Sequence, residues 1–579
     1  MTLLHPRTVA FVEYFAGAYP RRTILMVGLL VISGLLEGVS IISLVPMLEA
    51  AASPGGTDSG LGGAVREILL SIGIAPTLWI LVSLVVLGIT LKAVFLWLAM
   101  RQVGYTMARV TRDLRLRLVR ALLRARWSFF GEQQLGVFSN SIGREAVQSA
   151  NAYREACVVL GGVFQVVVYL GVSALISWEV TLVALATGAV LVVGLKRFVA
   201  IGRTAGEDAM RLTRSLVARL VDAFQGIKPM KAMAREDYLW PLLKAESEGL
   251  NKTDRRSVMA SETLRLFQEP IVALVLGINL IILLSLADRS FSAVVVLAFV
   301  FYRLMTYLNN LQMHYQYMVN AEGMFWSLRN LIDDAEAAVE SHSGTLVPAG
   351  LRSAIELRGV RFSYGDLKVL DGLDVRIPAK TLTALVGRSG SGKTTIVDLV
   401  TGLHRPSAGE TFIDDVPLSE IDMREWRQQI GYVPQDVFLF HDTVRRNITL
   451  GDETISDERV VEALKDAGAW DFIARDPKGI DALISPQGSA YSGGQRQRLA
   501  IARALAKDPA LIVLDEATTG LDTTTEAAIL ETLRALRGRV TILAISHQPA
   551  LREAADLTIE LQDGRVREIE SVVETRRVG

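Results

Sequence analysis

Three short stretches in the C-terminal third hold the residues with the clearest chemistry. The first is Gly387-Arg388-Ser389-Gly390-Ser391-Gly392-Lys393-Thr394-Thr395, which follows an apolar run at 382–386 and opens a helical pattern. Strand, loop and helix in that order are the context a phosphate-binding loop requires. The three glycines let the backbone curl so that its N–H groups converge on phosphate oxygens. The helix behind them aims its positive end at the same anion. Lys393 is expected to reach the β- and γ-phosphates, and Thr394 to give its hydroxyl to Mg2+. The second stretch, Leu511-Ile-Val-Leu-Asp515-Glu516, reads as a buried strand ending in two carboxylates. Asp515 suits a Mg2+ partner, and Glu516 suits the group that polarises an attacking water. These two stretches predict hydrolysis of a nucleoside triphosphate. The third, Tyr491-Ser492-Gly493-Gly494-Gln495, opens a helix a short way before the acidic strand.

The elements around these residues alternate short Val/Ile/Leu runs with helical patterns, an α/β reading. What precedes them is different. The chain has 579 residues, of which 50% are hydrophobic, too long for one compact domain and apolar enough to include a membrane portion. Apolar runs long enough for helical spans occur at residues 23–48, 77–100, 157–178, 180–199, 271–287 and 291–311. The run at 23–48 is too long for a signal-peptide core, so no cleavable signal is expected. Arginines before the first span, between spans two and three, and between spans four and five place both termini and those connections in the cytoplasm. The helical apolar period continues through 107–123, so spans two to five are expected to run on as long cytoplasmic helices. The outer connection at 51–75 reads as a Gly-rich loop with an amphipathic piece at 64–72. A polar stretch at 340–350 separates a membrane domain, 1–339, from a nucleotide-binding domain, 351–579. Formal net charge is zero, which gives no nucleic-acid footprint. The single cysteine, Cys157, excludes an intrachain disulfide and sits in an apolar run as a buried thiol would.

With the third stretch in place, residues 355–564 resemble the ATPase of ATP-binding cassette transporters. The whole chain resembles their exporter half-transporters of the type IV fold: a six-helix transmembrane domain with long cytoplasmic extensions, then an α/β P-loop ATPase domain. The resemblance implies ATP and Mg2+ as cofactors and a homodimer in a bacterial cytoplasmic membrane. It implies that Tyr364 stacks on adenine, and that Arg388, Ser389, Gly390, Ser391, Gly392, Lys393, Thr394 and Thr395 hold the nucleotide. Gln435 would join Mg2+ and the water to the transmembrane contact. Ser492, Gly493, Gly494 and Gln495 would close on the ATP held by the other subunit, Asp522 would couple the two sites, and His547 would contact the γ-phosphate. Short coupling helices are implied at about 133–139 and 232–238, with spans four and five reaching over to the other subunit. Two positions depart from the pattern. Tyr491 stands where Leu is usual and is expected to pack. Pro486 stands where exporters place a glutamate that touches the membrane domain.

For the cargo the clues are polar residues inside spans, which are functional candidates by default. Glu37 falls ~21 Å from the cytoplasmic edge of span one and Lys92 ~7 Å from the same edge in span two, depths that argue against a pair. Lys92 is therefore expected to snorkel to headgroups. Arg303, ~18 Å below the outer edge of span six, is the expected partner of Glu37, in a structural salt bridge or a substrate site. Asn309, Asn310 and His314 are expected to line the cytoplasmic half of a cavity or to cap helix contacts. The Glu37…Pro46 pattern resembles exporters of lipid-linked oligosaccharides and related glycolipids. An amphipathic cargo of that kind is expected, with a peptide or multidrug/lipid exporter as the alternative. The chain shows no N-terminal cysteine-protease-like domain, which disfavours leader-cleaving peptide exporters.

Overall fold

The computed structural model describes residues 6–44, 47, 67, 70–71, 73, 75, 77–131, 133–176, 178–286, 291–340, 344–517 and 523–571. It divides into two compact units: residues 1–125 with 129–339, and residues 340–579 with 126–128.

The first unit is helical. Its elements are α1 (Pro6–Ala18), α2 (Pro20–Ile42), α3 (Leu78–Arg124), α4 (Trp127–Gly131), α5 (Leu135–Asn140), a π-helical turn (Ser141–Glu145), α6 (Ala146–Ile176), α7 (Trp178–Gln225), α8 (Ile227–Ala232), α9 (Leu239–Leu286) and α10 (Phe291–Ala337). Described helices at Pro20–Ile42, Leu78–Arg124 and Gly136–Leu175 are long and apolar enough to cross a membrane. Beyond its apolar part α3 stays amphipathic: Val103, Val110, Leu114 and Leu118 are buried along one face, the stripe that keeps a helix packed once lipid no longer surrounds it. The long extensions expected for spans two to five are present, and span six extends as well, as far as Ala337. The helix of the first tip overlaps its expected stretch, and that of the second lies elsewhere. In the first, the short helix is Leu135–Asn140. In the second, it is Ile227–Ala232, upstream of the stretch named from sequence. Residues 232–238 instead make a turn through Ala234, at φ 51°, and a single 3-10 turn at Glu236–Tyr238. The outer connection at 51–75 lies almost wholly outside the described residues.

The second unit is α/β. In chain order it holds β1 (Ala354–Tyr364), β2 (Leu367–Pro378), β3 (Leu382–Gly387), α11 (Lys393–Val400), β4 (Ala408–Ile413), β5 (Val416–Pro417), α12 (Met423–Gln428), β6 (Ile430–Val433), α13 (Val444–Thr449), α14 (Asp457–Asp466), α15 (Trp470–Ile473), α16 (Gly493–Leu505), β7 (Leu511–Asp515), α17 (Thr523–Ala535), β8 (Thr541–Ile545), α18 (Pro549–Ala554), β9 (Leu557–Gln562) and β10 (Arg565–Ser571). One sheet runs β2-β1-β4-β5 and is antiparallel. The other runs β10-β9-β3-β8-β7-β6, parallel from β9 to β6, with β10 as an antiparallel edge. Leu382–Leu385, Leu511–Leu514 and all of β8 are buried, the unbroken pattern of strands covered on both faces. In such a sheet the carboxyl ends of the strands form the ligand crevice. The ends of β3, β7 and β8 carry Gly387, Asp515-Glu516 and, two residues past β8, His547.

Candidate nucleotide site and membrane polar cluster

The phosphate loop has the backbone its glycines predict. Gly387 has φ 146°, and a Cβ there would stand 2.3 Å from the Leu561 carbonyl oxygen. Gly392 caps α11 at φ 101°, where a Cβ would meet Leu370 at 2.7 Å. Neither position accepts a side chain, so the loop is a bare backbone cradle. Lys393 folds back over it, and its Nζ donates to the carbonyls of Gly387 at 2.9 Å and Arg388 at 3.0 Å. Burial holds the Lys393 ammonium below its usual pKa, against the pull of Glu516 and Asp515. The buried Ser391 hydroxyl has no hydrogen-bond partner among the described residues. Thr394 is exposed, as are Arg388 and Ser389. A bare cradle, an unpaired buried hydroxyl and an ammonium satisfied only by its own loop fit a triphosphate with its Mg2+.

Across the crevice, groups from the ends of β6 and β8 converge on Glu516. Gln435, just past β6, donates its Nε2 to Glu516 Oε2 at 2.9 Å. His547 Nε2 lies 3.4 Å from Oε1. The Glu516 N–H is fixed to the Ile545 carbonyl at 3.1 Å, and the residue is held at φ 48°. A non-glycine residue in that region is strained, and such strain persists where the surroundings impose it. Asp515, beside it, is pushed above the usual carboxylate range, mainly by burial and also by Glu516, while the Tyr432 hydroxyl and Lys393 oppose. Tyr432 donates to Asp515 Oδ2 at 3.3 Å. Sequence reasoning missed Tyr432; its place in Gly-Tyr-Val-Pro-Gln, three residues before Gln435, was the available signal. Together the cluster offers a carboxylate base hydrogen-bonded through one oxygen, with His547 beside the other, and a second carboxylate beside the lysine.

Tyr364 ends β1 half-exposed, edge-on to Phe362 (4.8 Å) and His404 (5.3 Å), so one ring face stays open for a base. Ser492 caps α16 in a reciprocal capping box. Its N–H donates to Gln495 Oε1 at 2.9 Å, and the Gln495 N–H to Ser492 Oγ at 3.3 Å. Ser492 and Gly493 are exposed, so the helix start faces outward. Tyr491 packs against Phe472, ring centroids 5.9 Å apart. Pro486 is exposed and opens a 3-10 turn. Asp522 lies outside the described residues.

In the helical unit the expected pairing is corrected. Glu37 does not pair with Arg303. Its partner is Lys92, with Nζ 2.5 Å from Oε1. Tyr169 also donates to Oε1 at 2.6 Å, Tyr307 lies 3.1 and 3.0 Å from the two oxygens, and Gln165 donates to Oε2. Lys92 Nζ further donates to the Tyr307 hydroxyl at 3.1 Å. Helix register explains the pairing. Ser33 bonds the Lys92 carbonyl and a Cβ at Gly88 would strike Ser40, so α2 and α3 pack with Glu37 near the level of Lys92. Arg303 lies over the Phe299 ring, 5.6 Å from its centroid. His314 contacts Glu155, Nδ1 to Oε2 2.6 Å.

Comparison with known proteins follows the same division. The ABC transporter transmembrane region family matches residues 23–318, and the ABC transporter family residues 370–519. The heterocyst differentiation ATP-binding protein HepA of Nostoc sp. is 27% identical, over 92% of this chain and 88% of its own length. An ATP-dependent lipid A-core flippase of Paraburkholderia xenovorans is 32% identical, over 80% and 79%. Among solved structures, a bacterial Atm1-family ABC exporter with ATP bound aligns over 97% of both chains with a TM-score of 0.79 and 25% identity.

Proposed function

The chain belongs to the ABC transporter family and couples ATP hydrolysis to export across a membrane; on that premise we propose that it works as a homodimer in a bacterial cytoplasmic membrane and flips a lipid-linked oligosaccharide or other glycolipid. The observation that carries the hydrolytic part is the convergence of Gln435 and His547 on Glu516 at the end of β7. Glu516 takes the proton from the attacking water. Gln435 fixes one carboxylate oxygen, and His547 lies beside the other. His547 would contact the γ-phosphate. Thr394 and Asp515 would hold Mg2+, which when bound neutralises phosphate charge. Lys393 leaves its own loop carbonyls for phosphate oxygens, a charge-assisted exchange. The exposed start of α16 supports the dimer: Ser492, Gly493 and Gly494 turn helix N–H groups outward, toward the nucleotide of a second copy.

The glycolipid reading is supported by the Glu37…Pro46 pattern and by relatives named as lipid A-core flippases. Arg303 remains the residue proposed to meet cargo. Glu37 is proposed to act indirectly, by holding Lys92 and Tyr307. Purified Glu516→Gln protein should retain ATP binding and lose turnover by about 10²–10⁴-fold; normal turnover would remove Glu516 from the role of base. Proteoliposomes presenting glycolipids, peptides and drugs, scored for transport and ATPase stimulation, decide the cargo. Selective response to peptides or drugs would overturn the glycolipid reading.

A further inference from the structure

The helical unit contains a cavity of about 580 Å³ that the nucleotide chemistry does not use. One wall is a single stripe of α6 and the turn before it: Arg144, Gln148, Asn151 and Arg154, spaced at three to four residues. Facing it are Tyr317 and Asn320 of α10, with Asp254 of α9 at the side. Arg154 lies three residues before the apolar run that begins at Cys157, whereas Asn151, Gly206 and Asn320 lie six to nine residues outside the runs of their own helices, so the cavity extends from the headgroup level about 10 Å or more into the cytoplasmic extensions.

The charges around it balance. Arg154 Nε donates to Glu155 at 3.1 Å, and Arg144 and Asp254 line the same space. Two guanidiniums against two carboxylates leave no net field to gather a bare anion. What remains is hydrogen-bonding capacity. Each carboxamide offers two donors and an acceptor, and Gln148, Asn151 and Asn320 all line the space. Asn151 Nδ2 already orients Gln148, bonding its Oε1 at 3.2 Å. Asn320 Oδ1 is buried with no partner among the described residues. Buried polar atoms are paired as a rule, so this acceptor marks a donor that the occupant brings. Tyr317, 49% exposed, offers a ring face beside it. At Gly206 of α7 a Cβ would sit 3.2 Å from the Asn320 carbonyl oxygen, which keeps this wall narrow.

Carboxamides, balanced charge and one aromatic face suit a ligand dense in hydroxyls with apolar C–H faces. We propose that this cavity seats the uncharged saccharide headgroup of a membrane lipid, whose tails stay in the hydrocarbon. The proposal rests on the glycolipid reading above and adds where, and by which residues, the sugar is held.

The test uses the full-length protein, kept free of glycoside detergents, in phosphatidylcholine nanodiscs. ATPase stimulation is titrated with digalactosyldiacylglycerol, with phosphatidylglycerol and with soluble lactose. Digalactosyldiacylglycerol alone is expected to stimulate. Asn151→Ala and Asn320→Ala should each raise its half-maximal concentration roughly three- to tenfold, the value of one hydrogen bond. Ala209→Phe, which fills the cavity, should abolish the response. Basal hydrolysis should be unchanged in all three and reports that they fold. Equal responses in wild type and variants would overturn the site and leave the glycolipid reading standing. Stronger stimulation by phosphatidylglycerol would overturn the uncharged headgroup, and stimulation by lactose would overturn the lipid source. No response of wild type to any probe would overturn both this proposal and the glycolipid reading, with the ATPase assignment decided separately by Glu516→Gln.

Discussion

Two buried or half-buried glutamates hold opposite kinds of surroundings. Glu516 sits at a strained φ of 48°, facing a crevice where the Ser391 hydroxyl has no partner among the described residues. Glu37 sits 4% exposed with both oxygens taken by Lys92, Gln165, Tyr169 and Tyr307. The first arrangement keeps strain and open valence, which a ligand or a reaction can relieve. The second is saturated. A charge saturated by its own protein is a brace between helices, here α2, α3, α6 and α10. The difference separates a polar residue built for a visitor from one built for its neighbours, a distinction that residue type alone does not make.

The largest expected effect breaks the brace. Lys92→Met leaves Glu37 buried without its cation and should cost about 3–5 kcal/mol of stability. The double variant with Glu37→Gln removes both charges and should recover most of that loss. Thermal unfolding of the four proteins in one detergent measures it; equal loss in single and double variants would show that the pair is not a unit. A smaller effect sharpens the ATPase side. Ser492→Ala removes the α16 cap, at about 1 kcal/mol. Ser492→Asp keeps a cap and should keep stability, yet its charge should repel phosphate and abolish ATP-dependent association of Glu516→Gln protein. If Ser492→Asp associates normally, Ser492 is only a cap.

The smallest effect depends on pH. Burial, with Asp515 nearby, pushes the Asp398 carboxyl up to about 6. The folded state therefore binds this proton more tightly than the unfolded one, and its contribution favours folding as pH falls through about 6. Asp398→Asn should raise the melting temperature most at pH 8 and by about half as much at pH 5, because the carboxyl of the unfolded chain is still ionised there. Equal shifts at both values would show that ionisation is not the cause.

What the sequence revealed divides along the same line. Glycine, lysine and paired acids on strand ends announce themselves, because few backbones tolerate Gly387 and few roles need Asp515 beside Glu516. Gln165, Tyr169 and Tyr307 did not, since neutral polar residues on an apolar helix give no sign of which way they face. Lys92 was misplaced for a different reason. A depth counted from the edge of an apolar run does not place Lys92, because α3 continues unbroken from Leu78 to Arg124 and the level of Lys92 is set by how α3 packs on α2. The second tip helix lies upstream of its expected place because a short helix at a Gly- and Pro-containing turn has few residues to define a period.

The helices α3, α7, α9 and α10 each run for 47 or 48 residues. At 1.5 Å per residue that is about 70 Å, against about 30 Å of hydrocarbon. Some 40 Å of each rod therefore stands outside the membrane as a lever arm, and a rocking of about 10° at the bilayer sweeps its far end through roughly 7 Å. The arms are not equally stiff. Pro270 lies inside α9 and has no N–H to complete the ladder there, whereas Phe291–Ala337 contains no proline. α10 is the rod that transmits an angle, and α9 the one with a place to flex.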